Sequence, residues 1–276
     1  MKPVLPLRMN VEHRYREFLP EARRIVVKIG TRVIAQKTGR TDMKPLKSLV
    51  KQVADLHRKG YEILIVSSGA VGAGVEALGM KSRPTNVPDL QMCAAVGQAR
   101  LMAHYEELFH AETITIGQVL LTHADFQHRI RFANAKRTME HMIRHSVIPI
   151  INENDVVADE ELKADLSLGD NDFLAALVVK LTRADLLVIL STVDGVLDAD
   201  GKRVHCIENL SDAFALVNPI QAGGLSKGGM DSKLRAAQIA VKAGCGVVIA
   251  CGRNKKVLTD VMTGNDTGTL ILSSAL

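Results

Sequence analysis

The chain has 276 residues, 47% of them hydrophobic, and a formal net charge of +5. That is enough apolar material to bury a substantial core in one large α/β domain or two small ones, and we read one. An aromatic fraction of 3% with no Trp leaves little for nucleic-acid recognition by stacked rings, and basic residues scattered among acids read as a solvated surface that favours small anions.

Cys93, Cys206, Cys245 and Cys251 form no C-x-x-C pair, and no signal-peptide pattern opens the chain, so a reduced, cytoplasmic compartment is expected. No apolar run approaches the ~18 to 20 residues of a membrane span. His141 with His145 and His123 with His128 lack a convincing third ligand, so they read as structural or surface residues and no metal site is expected.

Residues 1 to 22 carry Pro3, Pro6 and Pro20 among charges, with a weak helical pattern from Val11 to Phe18, and read as an N-terminal arm outside the core. A single domain follows over 23 to 276. The run Arg24 to Thr31 reads as a doubly buried parallel strand, and it contains a lysine. An unpaired ammonium costs several kcal/mol to bury, so Lys28 is expected to reach an opening at the strand's carboxyl end or to pair with an acid there; snorkelling to the sheet edge is the alternative.

Pro45 to Lys59 has helical periodicity, and Tyr61 to Val66 reads as the second strand. It runs into Ser67-Ser68-Gly69-Ala70-Val71-Gly72-Ala73-Gly74, small residues at a helix start. These suit either an anion site built from backbone amides or close helix-strand packing. The glycine spacing fits neither a Rossmann fingerprint nor a P-loop. A long helix over Asp89 to Phe109, a strand over Thr113 to Leu121 and a basic helix from about Gln127 to Arg144 come next.

Val147 to Ile151 reads as a strand whose Pro149 places it at an edge or leaves its amide side uncovered. It delivers Asn152-Glu153-Asn154-Asp155, and after a polar loop Gly169-Asp170-Asn171-Asp172 opens an apolar helix. Asp170 reads as a helix cap, but Asp155 and Asp172 need another reason, such as gripping an ammonium group, orienting lysines or holding magnesium. Leu186 to Leu190 is a further buried strand ending in Ser191-Thr192, and Asp198-Ala199-Asp200-Gly201 reads as a hairpin turn. A short helix spans Asp212 to Val217. Gly223 to Lys233, with Lys227, Gly228, Gly229, Met230 and Lys233, reads as a phosphate cradle ahead of a helix, or as a linker. A strand over Gly246 to Ala250, a helix near Val257 and a strand over Thr267 to Leu272 complete the pattern.

Val-Val-Lys28-Ile-Gly-Thr, Val-Ser-Ser68-Gly-Ala, Ile-Asn-Glu-Asn-Asp155, Gly-Asp170-Asn171-Asp172, Val-Asp194-Gly195 and Gly-Gly-Met-Asp-Ser-Lys233 stand in the order of the amino acid kinase family. The chain resembles that family over about residues 24 to 272, and within it the branch that phosphorylates glutamate. The resemblance implies a three-layer α/β/α sandwich with a mainly parallel central sheet. It implies an amino-acid site in the amino-terminal part and an ATP site in the carboxyl-terminal part. The implied reaction is ATP-dependent phosphorylation of the γ-carboxylate of L-glutamate to L-glutamyl 5-phosphate, first step towards proline. Sibling kinases of N-acetylglutamate or aspartate, and a non-catalytic amino-acid or nucleotide sensor, are the alternatives.

Carried over by position, Lys28 and Lys233 match phosphate-contacting lysines, with Asp172 expected to orient both. Ser68, Gly69, Asp155, Asp170 and Asn171 fall on the amino-acid side. Ser191, Thr192, Lys227, Gly228, Gly229 and Met230 fall on the ATP side with the two lysines. Magnesium is expected to arrive mainly on the ATP phosphates, proline to act as a feedback inhibitor, and the chain to form dimers or tetramers. The loop from Ala158 to Leu168 is expected to order when glutamate binds. Ser191-Thr192 stands where similar enzymes often have Thr-Asp. The chain ends at Leu276 without the RNA-binding-like domain many bacterial relatives carry, and so reads as a short form or a kinase region of a longer protein.

Overall fold

The computed structural model describes residues 16–36, 41–158, 171–216 and 229–273. The apolar runs pair into one eight-stranded sheet: β1 (Arg24–Ile29), β2 (Glu62–Ser67), β3 (Ile116–Leu121), β4 (Ile148–Glu153), β5 (Leu186–Ser191), β6 (Cys206–Ile207), β7 (Gly246–Cys251) and β8 (Thr269–Ile271). Their spatial order is β3-β4-β2-β1-β5-β7-β8-β6. Every neighbouring pair is parallel except β7 with β8.

Strands that are apolar at every position need cover on both faces, and the period of two shares their side chains between two cores. Val27, Ile29, Ile65, Val188 and Leu190 face one core, where α1 (Met43–Arg58), α3 (Val87–Ala111) and α9 (Val257–Met262) contribute Leu49, Val53, Leu101, Tyr105, Phe109 and Val261. Val26, Leu64, Val66, Leu187 and Ile189 face the other, closed by Met139 of α5 (Arg129–Arg144), Val178 of α6 (Asn171–Thr182) and Leu234 and Ala237 of α8 (Gly229–Lys242). The remaining α-helices among the described residues are α2 (Ala70–Ala77), α4 (His123–Gln127) and α7 (Leu210–Leu216). The result is the expected α/β/α sandwich.

Local chemistry sets the helix starts. Asp42 caps α1 by accepting from Lys44 N (3.2 Å), and Asn86 caps α3 by accepting from Asp89 N (2.9 Å). The basic helix expected from about Gln127 to Arg144 is α5, Arg129–Arg144, and the short α4 precedes it. Thr122 and Asp125 form a capping box for α4, and extended His128 ends α4 and caps α5 through Arg131 N.

One expectation is corrected, and one pair of alternatives is decided. The last part of the N-terminal arm is not outside the core: Leu19 and Ala22 are buried in it, and the buried Arg16 guanidinium donates to the carbonyls of His205, Asn265, Thr267 and Gly268. Those four acceptors lie 189 to 252 residues away, beyond any local pattern around Arg16. Of the two alternatives for β4, the edge position is excluded, since β3 and β2 flank it. Ile148 N donates towards β3, to Thr115 O, so alternation turns the Pro149 nitrogen towards β2, where the register starts only at Ile150. The uncovered-amide alternative accounts for the proline.

Candidate active site

The strands β1, β2, β4, β5 and β7 share one direction, and their carboxyl ends gather most of the polar residues singled out in the sequence. Lys28 follows Val26 on the β1 face towards α6 and α8, and is 1% exposed. Its Nζ lies 2.6 Å from Oδ1 of Asp172, a fully buried residue in the first turn of α6. The second oxygen, Oδ2, accepts from Lys233 Nζ at 2.9 Å. Lys233, 7% exposed, also reaches back one turn of α8 to donate to Gly229 O at 2.8 Å, and Ser232 Oγ approaches Asp172 Oδ2 at 3.3 Å. Burial opposes ionisation of the carboxyl, but the charges of Lys28 and Lys233 outweigh it and hold Asp172 below the ordinary carboxylate pKa.

Asn171, one residue earlier, belongs to a neutral cluster. Its Nδ2 donates to Ser67 O, to Ser68 Oγ at 3.0 Å and to Asn152 Oδ1 at 2.8 Å, three acceptors sharing two hydrogens. Asn152 Oδ1 also accepts from Glu153 N at 2.9 Å, and Asn152 Nδ2 donates to Gln98 Oε1 of α3 at 2.8 Å. Consecutive residues of α6 therefore open onto a charged site and a neutral one.

The small residues after β2 have a packing role. Gly69 takes the left-handed conformation (φ 108°) that a side chain would strain. A Cβ at Gly74 would fall 1.8 Å from Cys93 O, and one at Gly97 1.7 Å from Ala70 O, so α2 and α3 cross backbone to backbone. Close packing thus explains Gly74, while Ser68 and Gly69 stand at the start of α2 beside Asn171.

The other singled-out residues are less tightly joined. Half-buried Asp155 lies in the turn after β4. Ser191 ends β5 and accepts through its carbonyl from Gly252 N at 2.8 Å, and Thr192 is exposed beyond it. Gly229 and Met230 open α8. Asp170, Lys227, Gly228 and the loop after Ala158 lie outside the described residues. Sequence reasoning did not single out Gln98, Asn152 as a site residue, or Ser232. Asn152 stood inside a quoted motif, whereas Gln98 had no local signal.

The fold and this pair of lysines around a helix-start carboxylate define the class. The chain belongs to the amino acid kinase family, whose model matches residues 23–251. A glutamate 5-kinase of Citrifermentans bemidjiense is 42% identical over 263 residues, covering 93% of this chain and 69% of that protein. One of Clostridium tetani is 40% identical, over 92% of this chain and 96% of its own length. A carbamate kinase from Giardia lamblia bound to AMP-PNP shares the fold with a TM-score of 0.62 at 17% identity, over 92% of this chain and 99% of that one.

Proposed function

We propose that this chain transfers the γ-phosphoryl group of ATP to the γ-carboxylate of L-glutamate, giving ADP and L-glutamyl 5-phosphate, the first step towards proline. Membership of the kinase family and the glutamate 5-kinase relatives support the activity and the substrate. The observation that carries the site assignment is the buried Asp172 carboxylate holding Lys28 and Lys233, which come from distant parts of the sequence, beside the amide cluster of Asn171.

In this reading a γ-carboxylate oxygen attacks the γ-phosphorus, and the bond to the bridging oxygen breaks with its electrons leaving on ADP. An ionised carboxylate is already an adequate nucleophile, so no general base is needed. The work is to bring two anions together and to neutralise the equatorial oxygens as charge redistributes. Lys28 and Lys233 do this, and Asp172 orients them. Ser68, Gly69 and Asn171 orient the amino acid, with Asp155 attracting its α-ammonium and Asp170 as cap, substrate contact or both. Ser191, Thr192, Lys227, Gly228, Gly229 and Met230 take the nucleotide.

Both Asp172 oxygens are engaged by lysine, which leaves that acid a poor magnesium ligand, and among the described residues no group of three His, Cys, Asp or Glu side chains could hold a metal ion. In this reading magnesium would arrive mainly on the ATP phosphates and would add charge neutralisation. Assembly into dimers or tetramers, inhibition by proline and a cytoplasmic location belong to the same reading. No described helix is long and apolar enough to cross a membrane.

Glutamate-dependent ADP release with the acyl phosphate trapped by hydroxylamine tests the proposal. Hydroxamate should form with glutamate. ADP release with N-acetylglutamate or aspartate and none with glutamate would replace the substrate assignment; ligand binding without ADP release would mark a sensor.

A further inference from the structure

Two side chains of α3 reach the strand ends on the amino-acid side of the site. Tyr105 OH lies 2.9 Å from Ser67 Oγ, and about two helical turns earlier Gln98 accepts from Asn152 Nδ2. Gln98 is 9% exposed, in a place where an amide is tolerated only if it is hydrogen-bonded. Its oxygen is used, while its Nε2 is buried without an acceptor among the described residues.

An asparagine amide can be turned over at little steric cost, so its partners decide which end faces where. Glu153 N and Asn171 Nδ2 both need an acceptor from Asn152, and Oδ1 supplies it. Asn152 Nδ2 must then find an acceptor on its other side, and Gln98 Oε1 is that acceptor. Without it the amide is free to turn and present an NH2 group to the NH2 group of Asn171, two donors face to face.

We propose that Gln98 is a positioning residue for the amino-acid substrate, acting through Asn152 to fix the Asn171 amide against Ser67 and Ser68. The inference rests on the glutamate kinase reading above. It predicts an effect on substrate affinity and not on phosphoryl transfer, because α3 packs on one face of the sheet while Lys28, Asp172 and Lys233 meet on the other.

The test is steady-state ADP release by wild type, Gln98→Leu and Gln98→Glu. Removing one partner of a buried hydrogen bond, Gln98→Leu should raise glutamate KM about tenfold or more, with kcat and ATP KM within about threefold. Gln98→Glu, whose buried carboxyl stays protonated, keeps an acceptor oxygen for Asn152 and should return glutamate KM to within about threefold of wild type. In an Asn152→Ala background, Gln98→Leu should change KM less than about twofold. Gln98→Met, similar in shape and a good helix former, replaces Gln98→Leu if the latter fails to fold. An unchanged KM, a fall in kcat alone, no rescue by Glu, or a full effect in the Asn152→Ala background would each overturn the proposal. A wild type that shows no glutamate-dependent ADP release defeats the underlying reading; an active wild type with unaltered Gln98→Leu kinetics defeats only this inference.

Discussion

Asp172 and Asn171 are neighbours in the chain, yet they anchor regions of opposite character. Asp172 sits between two ammonium groups, and both of its oxygens make charge-assisted contacts. Asn171 joins Ser67, Ser68 and Asn152 through neutral donors and acceptors, continued to Gln98. Buried charges are strong in attraction and costly when a partner is lost, whereas amides are modest in energy but strict in direction. The proposed function would use both: charge where phosphate oxygens must be neutralised, and direction where a small flexible amino acid must be aimed.

The difference can be broken most severely at Asp172. Asp172→Asn leaves two buried ammonium groups without their shared carboxylate and should cost on the order of 3–5 kcal/mol of stability in urea unfolding; a loss below about 1 kcal/mol would mean that water or another anion already screens the lysines. The same carboxylate has a folded pKa below its ordinary value of 3.8. Its contribution is therefore complete above that ordinary value and is lost as pH falls through the lower folded value. Acid titration of stability should show this loss below about pH 4 in wild type and not in Asp172→Asn.

Next in size is Lys233→Ala, which should lower kcat on the order of 10²–10³-fold while glutamate KM moves far less. A change in KM alone would take Lys233 out of the transfer step. On the neutral side, Asn171→Ala should do the reverse, raising glutamate KM about tenfold with a smaller change in kcat. Equal losses in kcat from both variants would erase the distinction between the two regions. The smallest effect is expected at Asn86, whose cap on α3 is remote from either region. Asn86→Ala should cost about 1 kcal/mol in thermal or urea unfolding and leave both KM values unchanged.

The layered fold was largely legible because Ile25-Val26-Val27 and Leu186 to Leu190 have no polar face to turn to water. Lys28 was legible for the same reason, since a lysine in such a run demands an acid or an opening. What the local pattern could not convey depends on distant partners. Arg16 looked like an arm residue because its acceptors stand at 205 and 265 to 268. Pro149 left an edge and an uncovered amide side as alternatives because nothing local tells which neighbour its nitrogen faces. Gln98 read as an ordinary helical position because Asn152, its partner, lies 54 residues away.

The shared first turn of α6 has a thermodynamic consequence. Asn171 and Asp172 follow one another in the first turn of one helix, so any tilt or axial slip of α6 displaces both together. If glutamate draws that turn into a preferred position, the same displacement changes the affinity for nucleotide. Reciprocity then requires nucleotide to change the affinity for glutamate by the same factor. Under the proposed function the first turn of α6 would then couple the two ligands, and equilibrium titration of each ligand with and without the other would measure that coupling.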